Sequence, residues 1–226
     1  MPKFKVAVLF SGGKDSTYSA FLAKEYSYEL ACLISIQSRN PDSYMFHTPS
    51  IEKTKAQAKV MEVPLIIKET KGEKEIELED LKEAIKEAKE KYSIEGVVTG
   101  AIESVYQASR IQKICDELNL ECFNPLWQKN QLEHLQDLIK DKFEVILTGV
   151  FAEPFNKDWL GKEINLEFIK DIQVLNKKHG INVSGEGGEF ETFVLNCPLF
   201  TKELKIKSKK ITSSGEHSWR MEIEVE

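Results

Sequence analysis

Short apolar runs alternate with amphipathic helical patterns through the first two thirds of the 226-residue chain, and that alternation limits the fold more than any other feature. Lys5-Val6-Ala7-Val8-Leu9-Phe10 is apolar at consecutive positions, as expected of a strand buried on both faces of a parallel sheet. A helical pattern follows from Asp15 to Tyr26, then a second apolar run, Leu30 to Ile36. Thr48 before Pro49 reads as an N-cap with proline at the first helical position, opening a helix that runs to Met61. Val63 to Ile67 reads as a third strand. Leu78, Leu81, Ile85, Ala88 and Tyr92 recur at helical spacing among Glu and Lys. Gly96 to Gly100 reads as a fourth strand, Glu103 to Asn119 as a helix, and Phe143 to Val150 as a further strand. Strands separated by helices imply an α/β fold with a doubly wound parallel sheet, whose ligands bind at the carboxyl ends of the strands where strand order reverses.

After about residue 150 the pattern changes. Asn165 to Lys178 is helical, but the rest is short strands and glycine turns, and Leu204 to Ile211 with Ser218 to Val225 alternates like an antiparallel hairpin joined by Ser213-Ser214-Gly215. The expected division is therefore a larger domain over residues 1–150 and a smaller α+β domain over 151–226. The basic run Lys202 to Lys210 reads as the solvent face of a strand, with a docking surface for an acidic partner as the minority alternative.

Charge and cysteine usage exclude several classes. A net charge of −6 argues against a general nucleic-acid binder, and no direct nucleic-acid binding is expected. The four cysteines, Cys32, Cys115, Cys122 and Cys197, form no C-x-x-C pair, so zinc-ribbon, iron–sulfur and thioredoxin-like sites lack their ligand spacing. Cys32 and Cys115 sit in apolar runs and read as small core residues. No signal peptide is readable and no apolar run approaches 18 residues, so the expected place is the cytoplasm, without a membrane.

The chemistry concentrates where the first strand becomes the first helix, at Ser11-Gly12-Gly13-Lys14-Asp15-Ser16. Two glycines let the backbone pass close to a ligand, the helix N-terminus offers unpaired N–H groups to an anion, Ser11 and Ser16 add hydroxyls, and Lys14 adds a positive charge. Every element suits an oligophosphate. The spacing is neither that of a Walker A loop nor that of a dinucleotide fold. A glycine turn that merely enters a helix would not gather Ser, Lys, Asp and Ser around two adjacent glycines. Two further segments stand out. Thr99-Gly100-Ala101-Ile102-Glu103-Ser104-Val105-Tyr106-Gln107-Ala108-Ser109-Arg110 begins at the tip of the fourth strand; its helix is expected to place Val105, Ala108, Ile111, Cys115 and Leu118 on one side and Glu103, Gln107 and Arg110 on the other. Simple solvation of those three is the plain alternative. Gly185-Glu186-Gly187-Gly188-Glu189-Phe190-Glu191-Thr192 packs three carboxylates and three glycines into eight residues, an exposed turn or a way to bind ammonium or Mg²⁺.

The SGGKDS string resembles the PP-loop of N-type ATP pyrophosphatases, and together with GAIESVYQASR, the Pro125-Leu126-Trp127 step and GEGGEFET it resembles the diphthine–ammonia ligase family over most of the chain. The resemblance implies a HUP-like PP-loop domain followed by a smaller substrate-binding domain. It also implies an ATP-dependent ligase of diphthamide biosynthesis: diphthine on translation elongation factor 2 is adenylated and then amidated by ammonium, releasing AMP and pyrophosphate. On that basis Ser11, Gly12, Gly13, Lys14, Asp15, Ser16, His47 and Gly100 are expected at ATP, with Lys14 and Asp15 catalytic. Asp15 would orient Mg²⁺ or simply favour the helix N-terminus, and His47 is either an ATP contact or structural. Tyr106, Gln107, Arg110, Glu186, Glu189 and Glu191 are expected to bind the acceptor or ammonium. ATP and Mg²⁺ are the implied cofactors; elongation factor 2 and ammonium are the implied partners, and a homodimer stays open. Two rival readings are another PP-loop adenylating enzyme, such as one of tRNA modification, and a non-catalytic nucleotide-binding module. Against the first stand the absent C-x-x-C and the acidic balance; against the second stands an intact loop suited to a departing pyrophosphate.

Overall fold

The computed structural model describes residues 3–38, 51–71 and 76–226. The chain divides into two compact units, Met1–Trp127 and Gln128–Glu226.

In the first unit the apolar runs become strands and the periodic segments become helices: β1 (Lys5–Leu9), α1 (Lys14–Glu25), β2 (Glu29–Ser38), α2 (Ile51–Met61), β3 (Leu65–Thr70), α3 (Ile76–Tyr92), β4 (Gly96–Val98), α4 (Val105–Glu117) and β5 (Glu121–Phe123). All five strands pair in parallel in the order β3-β2-β1-β4-β5, so strand order reverses between β1 and β4. The consecutive apolar residues of β1 are explained by burial on both sides: Val6, Ala7 and Val8 are all fully buried. Ala7, Cys32, Ile34 and Val97 meet Leu81, Ile85 and Ala88 of α3 and Ile111, Ile114 and Cys115 of α4 in one core. Each large side chain so buried contributes roughly 1.5–3 kcal/mol. Helix α1 lies along β1, β2 and β4.

Two expectations for this unit change. Val105 is 67% exposed rather than on the buried side of α4. Counting back from Ile111 in steps of three loses about 60° per step at 100° per residue, so Val105 sits roughly 120° off the buried seam. The seam is Ile111, Ile114 and Cys115, with Tyr106 and Leu118 packed against it. Strand β5, only three residues long, has no periodic signature and was not expected. The expected helix start at Thr48-Pro49 lies outside the described residues.

The second unit holds α5 (Gln131–Lys140), β6 (Glu144–Val150), a 3-10 turn at Lys157–Trp159, α6 (Leu166–His179), β7 (Phe190–Asn196), β8 (Ile206–Gly215) and β9 (Ser218–Val225). Its sheet runs β7-β6-β9-β8 and is antiparallel throughout. The apolar run Phe143 to Val150 is therefore not a strand of the parallel sheet: β6 pairs with β7 and β9, and the division falls after Trp127 instead of near 150. An apolar run reads alike in either kind of sheet, since only its partners differ. Asn130 and Asn165 cap α5 and α6 through side-chain oxygens that accept from backbone N–H groups two and three residues on. Phe155, Phe168 and Phe190 pack edge to face at centroid distances of 6.0–6.1 Å, and Trp159 closes the cluster against Phe155 at 5.0 Å. Ser213–Gly215 belong to β8 itself, and the hairpin turns at Glu216-His217. As expected of the basic run, β8 is exposed, along its whole length.

Cys32 and Cys115 are fully buried. Burial pushes the Cys32 thiol up to about 12. Cys115 and Cys122 hydrogen-bond to each other, which holds Cys122 below the usual thiol range and Cys115 above it. Among the described residues no helix is long and apolar enough to cross a membrane.

Candidate functional site

Strand β1 is held at its carboxyl end by Phe10 N–H donating to the Ile34 carbonyl at 2.8 Å and by Ser35 Oγ donating to the Phe10 carbonyl at 2.6 Å. Directly beyond lies the Ser11–Ser16 loop, at the β1/β4 reversal point. Ser11 and Ser16 hydroxyls lie 3.1 Å apart, Gly13 N–H donates to Ser11 Oγ at 3.4 Å, and Ser16 Oγ and Thr17 Oγ1 donate to the Gly13 carbonyl at 3.3 and 2.9 Å. The N-cap of α1 is Gly13, which makes no side-chain cap bond, so the first turn keeps its donor capacity for an anion. Lys14 is only 3% exposed, and its ammonium sits 2.7 and 3.0 Å from the two Asp15 oxygens. Cation, carboxylate and helix N-terminus are thus packed into one loop.

Two residues hold that loop from outside. Gln57, fully buried on α2, donates from Nε2 to the Gly12 carbonyl at 2.9 Å. Gly100, just past β4, stands where a Cβ would come within 3.0 Å of Asp15 C and Ser16 N. The missing side chain at 100 is what lets β4 close against the first turn of α1. The expected residues Ser11, Gly12, Gly13, Lys14, Asp15, Ser16 and Gly100 are therefore brought together, while His47 lies outside the described residues. Gln57 was missed: on a helix rich in Lys, Gln and Glu, nothing in the sequence separates a buried amide from a solvated one.

Helix α4 begins at a Ser104 cap whose Oγ accepts from Gln107 N–H at 3.3 Å. Tyr106 and Arg110, one turn apart, stack with the guanidinium carbon 3.5 Å from the ring centroid. Neither is simply solvated, whereas Glu103 is exposed.

In the second unit Asn182 organises the Gly185–Thr192 segment. Its Oδ1 accepts from Ser184 N–H at 3.0 Å and Glu186 N–H at 3.1 Å, and its own N–H donates to Glu189 Oε1 at 2.9 Å. Glu191, on β7, is instead paired with Arg220 of β9 at 3.4 Å, across the middle strand β6. Both residues stand beside Gly149, where a Cβ would collide with the Phe151 ring at 2.5 Å and approach Glu191 Oε2 at 3.1 Å. Arg220 also lies over the Phe151 ring at 4.9 Å. So one carboxylate braces its loop and another is held by a guanidinium. Among the described residues no group of three or more His, Cys, Asp or Glu side chains is placed to hold a metal ion. Phe151 and Arg220 carried no sequence signal, because the pairing that gathers them is antiparallel and long-range.

The metal question therefore rests on the loop. Asp15 is a single carboxylate at a phosphate-type site, and that donor set fits a Mg²⁺ that arrives with a triphosphate and keeps most of its water and phosphate ligands.

Comparison with known proteins agrees with this layout. The model of the diphthamide synthase N-terminal domain matches residues 4–122, and that of the diphthamide synthase C-terminal domain matches residues 130–224. The diphthine–ammonia ligase of Bos taurus is 35% identical over 228 residues, covering 92% of this chain and 85% of that protein. The diphthine–ammonia ligase of Mus musculus is 36% identical over 225 residues, covering 91% of this chain and 84% of that protein. That of Homo sapiens is 34% identical over 226 residues, with 92% and 84% covered.

Proposed function

The chain belongs to the diphthamide synthase family, and we propose that this carbon–nitrogen ligase amidates diphthine on translation elongation factor 2 through an acyl-adenylate, using ATP at the Ser11–Ser16 loop. The observation that carries the reading is the loop itself: a helix N-terminus without a side-chain cap, two serine hydroxyls and a buried Lys14 paired with a half-buried Asp15, all at the point where strand order reverses.

The β- and γ-phosphates of ATP would lie on the first turn of α1, with Gly12, Gly13 and Ser16 supplying donors and Lys14 supplying charge. A carboxylate oxygen of diphthine attacks the α-phosphorus, and the bond to the bridging oxygen breaks as pyrophosphate leaves. Ammonia then attacks the acyl carbon, AMP departs with the bonding pair, and one proton is released. Because AMP is a good leaving group and ammonia a competent nucleophile, no protein nucleophile is needed. The residues position reactants and stabilise the growing charge of the pyrophosphate. Asp15 would hold Mg²⁺ on the triphosphate, where the ion supplies further charge neutralisation. Gly100 keeps the end of β4 against the loop. Tyr106, Gln107 and Arg110 are proposed for the acceptor, and Glu186, Glu189 and Glu191 for ammonium or substrate. The Glu191–Arg220 pair supports this by presenting one carboxylate in a fixed position.

The test is incubation with ATP, Mg²⁺, ammonium and elongation factor 2 bearing diphthine. Formation of AMP together with a one-dalton mass decrease of the factor is the expected result. Absence of both, with an enzyme shown to be folded, refutes the assignment.

A further inference from the structure

Strand β8 ends the second sheet and is exposed at every residue. Among the described residues its ladder partner is β9, which leaves the backbone donors and acceptors of its other edge open to a further strand. Lys209 pairs with Ile223 and Ile211 with Met221, and both β9 residues are buried. Lys209 and Ile211 thus share the core-facing side of the sheet, yet Ile211 is 43% exposed: the core ends at β9 and the sheet extends one strand past it.

The charge on this overhang is opposite to that of the whole. Residues 201–210 carry five lysines against one glutamate, a local balance of +4 in a chain of net −6. Lys207 is committed to Glu226 at 3.0 Å, close to where Lys205 N–H donates to the Glu226 carbonyl. Among the described residues Lys205, Lys209 and Lys210 make no ion pair. Lysines on an edge also serve to discourage self-association, and the experiment below separates the two roles.

We propose that the outer edge of β8 is the surface on which an acidic, extended segment of the protein substrate docks, adding a strand to the second sheet. This rests on the reading of the substrate as a protein. The occupant is a polypeptide because open N–H and C=O groups repeat at strand spacing, which a peptide backbone matches and a phosphate backbone does not. It is acidic because Lys209 and Lys210, on opposite faces of the strand, and Lys205 just before it would flank an added strand on both sides, while Ile206 and Ile211 offer the apolar contacts that fix register.

The test compares the wild type with the triple variant Lys205→Glu, Lys209→Glu, Lys210→Glu and its neutral counterpart with glutamine at the same positions. Affinity for diphthine-bearing elongation factor 2 is measured directly, beside steady-state amidation. The charge-reversed variant is expected to lose about tenfold or more in affinity and to raise KM for the factor by a similar ratio. Its kcat and its KM for ATP stay within about twofold, and the neutral variant falls between. Wild-type affinity weakens as salt is raised, and the variant's does not. Unchanged affinity overturns the proposal; if the variant also dimerises, the lysines only guard the edge. A wild type that holds RNA through these lysines, and not the factor, overturns it as well. A wild type that binds the factor through β8 but does not amidate it leaves the docking surface standing and refutes the reaction instead. Circular dichroism and melting of both variants confirm that the exposed strand has kept its fold.

Discussion

Gln57→Met tests whether the loop is held from α2. Methionine nearly keeps the volume of the buried slot but removes the amide that donates to the Gly12 carbonyl at 2.9 Å. Gln57 is fully buried and Gly12 is buried too, so no water can replace the lost donor. A buried carbonyl stripped of its partner costs roughly 1–3 kcal/mol. At about 1.4 kcal/mol per tenfold, placing all of it on the ATP-binding conformation raises KM for ATP roughly 5- to 150-fold. Any share that falls on the fold lowers the melting temperature by about 2–4 °C per kcal/mol. Gln57→Glu has the same shape but offers only oxygens to that carbonyl, and is expected to do at least as much damage. The assays are AMP release against ATP concentration and a thermal melt of each variant. If KM and melting temperature are both those of the wild type, the hydrogen bond does not hold the loop. If only the melting temperature falls, Gln57 supports the fold and not the site.

Gly100→Ala puts a Cβ about 3.0 Å from the backbone of Asp15 and Ser16, and should cost roughly 1–3 kcal/mol in a melt while weakening ATP binding; an unchanged melt refutes the close approach. Lys14→Ala and Asp15→Ala should each lose about a hundredfold or more in turnover with far-UV circular dichroism retained, and full activity in both would remove the loop from the chemistry. Arg220→Ala breaks a pair whose side chains are 40% and 30% exposed. Stability should therefore shift by less than about 1 kcal/mol, while KM for the protein substrate rises at constant KM for ATP; equal effects on both would argue against an acceptor role for Glu191. The thiolate is the reactive form, and Cys122 ionises below the usual thiol range while Cys32 and Cys115 are held protonated. Iodoacetamide at neutral pH should accordingly label Cys122 first in peptide mapping, and prior labelling of either other cysteine would contradict the assigned hydrogen bond.

How far the sequence reaches depends on the range of the forces involved. The Ser11–Ser16 loop was legible because its chemistry is local: glycine, hydroxyl and charge adjoin a strand end. Helix α3 was legible because Leu81, Ile85 and Ala88 bury at one period. Strand β5 and helix α5 escape, the first because three residues hold no period and the second because it sits between Trp127 and an apolar run that reads as a continuation of the first sheet. The placing of β6 failed for a related reason, since burial on two faces is common to parallel and central antiparallel strands and only pairing distinguishes them. Val105 shows how an i+3 count drifts off a helical seam. In the site, Gln57, Phe151 and Arg220 were out of reach because their roles come from partners 45, 69 and 29 residues away in sequence. The acidic segment looked like three converging carboxylates; Asn182, outside the motif, decides instead that Glu189 folds onto its own loop.

Each of the two units is made from one uninterrupted stretch of chain, and among the described residues no strand is exchanged between the sheets. For a polypeptide leaving a ribosome this sets an order of events. The loop, its Gln57 brace and the Gly100 contact are all encoded before β6 exists. At about 5–20 residues per second, the remaining stretch of roughly 100 residues gives the first sheet a lead of roughly 5–20 s. Damage to β6 or β7 is met by a first unit that is already closed. Damage to β5 is different in kind: it leaves the edge of β4 open while the lysine-rich hairpin of the second sheet is still being synthesised, the interval in which an unpaired edge is most exposed to the wrong neighbour.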